Sequence, residues 1–195
     1  MGLKAKAGGQ KREPVSEGLH YAICVWVFDL GTHYSEKFDK AAHNVNITWE
    51  IPGERIQVDG EDKPRVISRK YTLSLHEKSA LYKHLTGWRG KKFTDEELKG
   101  FELENLLGKP CQLQVIHNNG YANVDSVVSA PKGMAKPEPE TDLLFFSIED
   151  GKPIPEGTPN WIKDIIMESE EMAETAVNKK AMSVQDEDFG DEIPF

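Results

Sequence analysis

The sequence predicts a mainly β protein with small helices: a Greek-key β-barrel, then a C-terminal helix, then a disordered acidic tail. Three observations point there. Val45, Ile47, Trp49 and Ile51 alternate with Asn46, Thr48 and Glu50, and Ile67, Arg69, Tyr71, Leu73 and Leu75 alternate with Ser68, Lys70, Thr72 and Ser74. A period of two marks a strand with unlike faces. Asn118-Asn119-Gly120 joins two β-branched runs, a strong hairpin signal. The last ten residues carry five carboxylates and no Lys or Arg, a composition that builds no core.

Residues 1–17, rich in Gly, Lys and Gln, read as a flexible basic arm. Residues 19–30 form an apolar run without alternation, which suits a strand buried on both faces or curved around a core. Residues 31–43 are polar and read as a long hairpin loop. A second strand over 44–51 stops at Pro52-Gly53; 53–64 are charged and turn-like; a third strand covers 66–75. A helix is expected over 78–85, with Leu81 and Leu85 on one side. Residues 86–93 make a basic, aromatic loop punctuated by Gly87 and Gly90. Thr94 with Glu97 three residues on is a capping box that opens a short helix through Lys99, and 102–107 hold one more helical turn. The hairpin strands occupy 111–117 and 121–128. After a Pro-rich linker at 131–142, a short strand lies in 143–148. Thr158 then caps a helix from Asn160 to about Glu174, with Pro159 at its first position and Trp161, Ile162, Ile165 and Ile166 as its stripe.

Three strands, a helix and a hairpin, in that order, form the arrangement of the OB-fold, a five-stranded Greek-key barrel; an irregular β-sandwich is the alternative. The expected organisation is a basic arm at 1–17 and an OB-fold-like domain at 18–130 with a helical insert at 76–107. A linker, short strand and helix at 131–174 pack on that domain, and a disordered acidic tail fills 175–195. The 195 residues suffice for one such domain with appendages.

The net charge of −9 conceals a segregation. Residues 168–195 hold nine acids and two Lys, a net of −7, which leaves −2 on the preceding 167. From Lys63 to Lys92 nine bases face a single acid, Glu77, and Lys4, Lys6, Lys11 and Arg12 precede any acid. Local field rather than overall charge governs nucleic-acid binding. Cys24 and Cys111 lie in strand-like apolar segments and read as buried free thiols. No apolar run approaches the roughly 20 residues that cross a bilayer. The N-terminus has no apolar segment of signal-peptide type, and Lys6 stands where a myristoylation pattern needs Ser or Thr. A cytoplasmic location is expected.

The end of the chain joins a large apolar side chain, Phe195, to an α-carboxylate, behind acidic residues that steer toward a basic partner. Asp191, Glu192, Ile193, Pro194 and Phe195 resemble the C-terminal tip of bacterial and phage single-stranded DNA-binding proteins, an acidic stretch followed by Ile-Pro-Phe. The resemblance covers these few positions; the segments around Tyr71, Trp88-Arg89-Gly90, Phe93-Thr94 and Leu106-Leu107-Gly108-Lys109 look like phage replication proteins of the same kind. It implies a replication or recombination accessory role, a tip that recruits other proteins, and the host cytoplasm as location if the chain is phage-encoded.

Binding single strands without sequence preference needs cations along the phosphates and rings on which bases stack. The candidate residues are Arg65, Arg69, Lys70 and Tyr71 on and before the third strand; Trp88, Arg89, Lys91 and Lys92 in the loop after the helix; Tyr34, Lys37 and Lys40 in the first loop; and Tyr121 at the last hairpin. The structural alternatives are packing for Tyr71, Trp88 and Phe93, and plain solvation for the basic loop. No phosphate-loop, His-Glu-x-x-His or Gly-x-Ser-x-Gly motif occurs, and no Cys/His cluster has metal-ligand spacing, so neither an enzyme, a cofactor nor a metal is expected. The expected partners are single-stranded DNA and, through the tip, replication or recombination proteins; a homo-oligomer stays open. The rivals are an acidic DNA mimic that blocks a partner, a strand-annealing recombination protein and an RNA binder.

Overall fold

The computed structural model describes residues 13–175. Six strands form one sheet: β1 (Gly18–Ser35), β2 (Lys40–Val58), β3 (Glu61–Thr72), β4 (Pro110–Asn118), β5 (Tyr121–Ser129) and β6 (Leu144–Phe146). Helices α1 (Ala80–Arg89) and α2 (Asp95–Lys99) and a 3₁₀ turn (Leu103–Leu106) lie between β3 and β4; α3 (Asn160–Met167) follows β6. The hydrogen-bonded path is β3-β2-β1-β4-β5, antiparallel throughout, with β6 parallel to β1. The protein is thus mainly β. The ladder does not close into a barrel: β3 and β5 end the path and share no ladder.

β1 explains the long apolar run. Its first part, Gly18 to Ile23, pairs with β4, and the part from Ile23 onward pairs with β2. Register shifts between Cys24 and Trp26 and between Asp29 and Gly31 interrupt the ladder, as β-bulges that bend a strand do. One side of β1 gives Ala22, Cys24 and Val27 to the main core with Val45, Ile47, Trp49 and Ile51. The other gives Phe28 and Leu30 to a second core with Phe146, Ile162 and Ile166. A strand covered on both faces has no solvent side and so no polar alternation. Cys24 and Cys111 are buried free thiols, and burial pushes both well above the usual thiol range.

Several boundaries differ from the sequence reading. The expected first loop is mostly strand, since β1 and β2 stay paired out to Ser35 and Lys40. The turn-like stretch 53–64 is also a ribbon, ending at Val58 and Glu61 around Asp59 and Gly60, whose φ values of 53° and 85° suit a primed hairpin turn. These ribbons reach past the core: the first is polar on both faces, and in the second Ile56 and Val58 alternate with Arg55 and Gln57 but are only half-buried, so the period-two signal is short and weak. β3 ends at Thr72, and α1 starts at Ala80 with Ser79 accepting from the Tyr82 N–H. The Thr94–Glu97 capping box forms with both bonds. Thr158 does not cap α3; its hydroxyl donates to the Pro155 carbonyl, and α3 stops at Met167 before helix resumes at 170–175.

The second, polar side of β2 is not a solvent face. Asn44, Asn46, Thr48 and Glu50 are buried. Glu50, at 0 % exposure, accepts the N–H groups of Glu140 (3.0 Å) and Thr141 (2.7 Å). Trp26 donates to the Asp142 carbonyl and Tyr21 to that of Ala135. Residues 131–142 are thereby strapped across the outside of the sheet, and β6 and α3 complete the cover.

Candidate nucleic-acid interface

β3 sets the frame. Paired residues place Arg65, Ile67, Arg69 and Tyr71 on the side of Ile51, Trp49, Ile47 and Val45, and Val66, Ser68, Lys70 and Thr72 on the other. Arg69 therefore starts from the inner face at the free edge of the strand. Its guanidinium lies 5.4 Å from the Tyr71 ring and donates to the Val124 carbonyl, spanning the gap to β5. Thus the two ends of the sheet path meet at a seam held by a side chain rather than a ladder.

A cleft of about 420 Å³ opens at this seam, lined on one wall by Ser68, Arg69 and Lys70 and on the other by Asn118, Asn123 and Asp125, among others. Lys70 is exposed. Its wall continues into a polar row in which Thr48 and Ser68 hydroxyls are 2.7 Å apart and Asn46 donates to Thr48. Tyr121 opens β5 beside the cleft and is 73 % exposed, a ring open to solvent and so available for stacking.

The β1–β2 ribbon forms a second group. Tyr34 pairs opposite Ala41 and Ser35 opposite Lys40, so Tyr34, Lys37 and Lys40 share one tip. Tyr34 is 57 % exposed and donates its hydroxyl to Asp39. Phe38 is 72 % exposed, with the Lys37 ammonium 5.5 Å from its ring. Phe38 was not among the sequence candidates. Its signal was available: an aromatic at the tip of a polar ribbon has no core to enter.

Three candidates turn out to be interior. Trp88 packs on Trp49, ring centroids 5.9 Å apart, and donates its indole N–H to the Pro110 carbonyl. Tyr71 is buried, with its hydroxyl 2.9 Å from His84 Nδ1, and burial raises its pKa well above the phenol range. Neither ring is open to a base. Arg89 lies 4.3 Å from the Phe93 ring and 5.1 Å from that of Phe101, and pairs with Glu97. It cements α1 to α2. The Thr94 N–H, with Arg89 assisting, holds the Glu97 carboxyl below its usual range. Phe93 is buried as well, so this segment serves packing.

Arg65 is also engaged: it donates to the Glu13 and Arg55 carbonyls and faces Glu54 at 4.0 Å. Lys91 and Lys92 are exposed, but they follow Gly90, which stands near Ser129 at the far end of β5. Five residues of strand separate Ser129 from Val124, about 17 Å at the usual rise. The structure therefore divides the candidate cations: Arg69 and Lys70 at the seam, Lys37 and Lys40 on the ribbon tip, and Lys91 and Lys92 beyond α1. A single channel through all of them is not formed. The tail candidates Asp191, Glu192, Ile193, Pro194 and Phe195 lie outside the described residues.

Behind the seam, His84 of α1 is buried against Tyr71. Burial, and then the nearby Arg69 charge, push its pKa down to about 4, so it is neutral at pH 7. The base of the ribbon is fixed by a different cluster: His43 meets Asp29 at 2.6 Å and Glu171 at 3.7 Å, and Glu171 accepts the Thr32 N–H and hydroxyl. No helix among the described residues is long and apolar enough to cross a membrane. Comparison with protein-family models, with curated proteins and with solved structures gives no match.

Proposed function

We propose that this protein binds single-stranded DNA without catalysis, through the seam cleft and the β4–β5 hairpin beside it, with the β1–β2 ribbon tip as a separate contact about 20 Å along β2, as an accessory factor of phage-type replication or recombination. The observation that carries the reading is the seam, where an exposed cation, amide side chains and an open ring converge. Lys70, Asn118 and Asn123 offer donors to phosphate or base edges, and Tyr121 offers a stacking face. Tyr34 and Phe38 extend that supply of rings on the ribbon.

The strand path supports an OB-type barrel left partly open. β1 is shared between β2 and β4, α1 falls between β3 and β4, and β3 meets β5 at the Arg69 bridge. In such barrels ligands lie over the second and third strands, flanked by the loops after the first and fourth; here the outer side of β2 is covered by residues 131–142, which leaves β3 and those loops. Those loops here are the ones that carry Phe38 and Tyr121. The acidic Ile193-Pro194-Phe195 end, similar to the tips of single-strand binders, supports recruitment of replication or recombination proteins in the host cytoplasm.

The test is a fluorescence titration of oligo-dT, oligo-rU and duplex at two salt concentrations. Tight oligo-dT binding that weakens with salt is expected, and Lys70→Glu is expected to lower it about ten-fold or more by removing one phosphate contact and adding repulsion. Preference for oligo-rU would make it an RNA binder, and faster pairing of complementary strands would make it an annealing protein. No binding to any of the three would favour the DNA-mimic reading. That reading has one observation of its own: the cations at the β2–β3 end are already matched by acids, Lys63 by Glu61 and Arg55 by Asp62 and Glu140.

A further inference from the structure

A larger cleft, about 710 Å³, runs beside the N-terminal half of β3. Its floor includes Val66, Ile67 and Ala122, and its charge differs from that of the seam. Glu13, Glu61, Asp62 and Glu140 line it against Lys63 and Arg65. Adding the partners Arg55 and Glu54, which pair with these groups, makes five acids against three bases. From Lys63 to Ser68 β3 is paired with β2 on one side, and its other edge has no ladder partner among the described residues.

The chain itself enters the fold at this cleft. Glu13, Pro14 and Val15 form part of its wall. Val15 is buried in the main core, and Arg65 grips the Glu13 carbonyl, so the exit of the preceding segment is fixed at the rim. That segment, residues 1–12, carries Lys4, Lys6, Lys11 and Arg12 and no acid. Twelve extended residues reach about 40 Å, more than enough to follow the cleft. Tethering at the rim gives the arm a high effective concentration there.

We infer that the cationic segment 1–12 docks in its own chain's acidic cleft, along the unpaired edge of β3. An extended segment satisfies both requirements of the site: backbone groups for the open edge, except at Pro64, which has no N–H, and ammonium and guanidinium groups for the surplus carboxylates. The inference needs no nucleic acid and is independent of the reading of the seam.

Trypsin cuts after Lys and Arg, so cleavage at Lys4, Lys6 and Lys11 reports how available the arm is in the full chain. At low salt the native chain is expected to lose its arm about five-fold more slowly than Glu61→Lys, a substitution at an exposed ribbon position, and added salt near 0.5 M is expected to erase roughly all of the difference. Equal rates in the two proteins would overturn the inference. A second measurement uses hydrogen exchange along residues 65–68, read at the alternate amides that point away from β2. Reversing the charges of Lys4, Lys6, Lys11 and Arg12 to Glu is expected to speed exchange there without lowering the melting temperature; unchanged exchange would overturn the inference. So would arm protection that grows with protein concentration, because the arm would then occupy a second copy.

Discussion

Two aromatic residues of similar appearance in the sequence have opposite roles. Trp88 fills the space above Trp49, whereas Tyr121 stands in solvent at the seam. Trp88→Ala is expected to cost about 3–5 kcal/mol of stability, read by chemical denaturation. Tyr121→Ala is expected to leave stability within about 0.5 kcal/mol and to weaken oligo-dT binding by about 1–3 kcal/mol, the worth of one stacked base. Equal destabilisation by the two would show that Tyr121 packs rather than stacks. His84 gives the protein a pH dependence of definite sign. Its folded-state pKa, about 4, lies below the ordinary 6.5, so the unfolded chain takes up a proton first as pH falls. The contribution of neutral, buried His84 is fully present above about pH 6.5 and is lost between there and pH 4, on the order of 3 kcal/mol in all. His84→Gln is expected to flatten the stability profile in that window.

At the scale of elements, the C-terminal extension is held by local fits that sequence patterns do not announce. Gly31 has φ +75°, and a Cβ there would stand 2.5 Å from Ser169 Cβ and 2.7 Å from a Glu171 carboxylate oxygen. Gly31→Ala is therefore expected to strain β1 and lift the segment around 169–171. Hydrogen exchange is expected to quicken in α3 and β6 first, with β4 and β5 little changed; uniform quickening would show that the extension is not a separate unit of opening. The elements most legible in the sequence were those with one wet and one dry face, β2 beside Trp49 and β3 beside Tyr71, and those with chemical punctuation, the Thr94 cap and the Asn119-Gly120 turn. The two ribbons were not legible, because the first is wet on both faces and the second has only Ile56 and Val58, half-buried among charged residues, to mark its dry side. Nor was the burial of Glu50, because its cover comes from residues 140 and 141, ninety positions away. The candidate site was legible in part: Tyr34, Lys37, Lys40, Lys70 and Tyr121 are exposed, while the Trp88-Arg89 segment had the right composition for binding and the geometry of packing.

For the whole molecule, charge segregation decides how the surface is used. The excess acid beyond residue 167 is tethered to a body whose seam presents Arg69 and Lys70. Removing residues 186–195 is expected to tighten oligo-dT binding at low salt and to change little at high salt, where screening shortens the reach of the tail's field to under about 8 Å. Unchanged or weaker binding after the deletion would contradict a tail that competes with DNA for the seam. Two hydrophobic cores leave the molecule a choice of how to melt. Both lean on β1, one from each side, like two rooms with a common wall. Loss of either leaves that wall with a bare apolar flank, so heat is expected to bring both down in a single calorimetric peak, and two resolved peaks would mean that the wall survives the fall of one room.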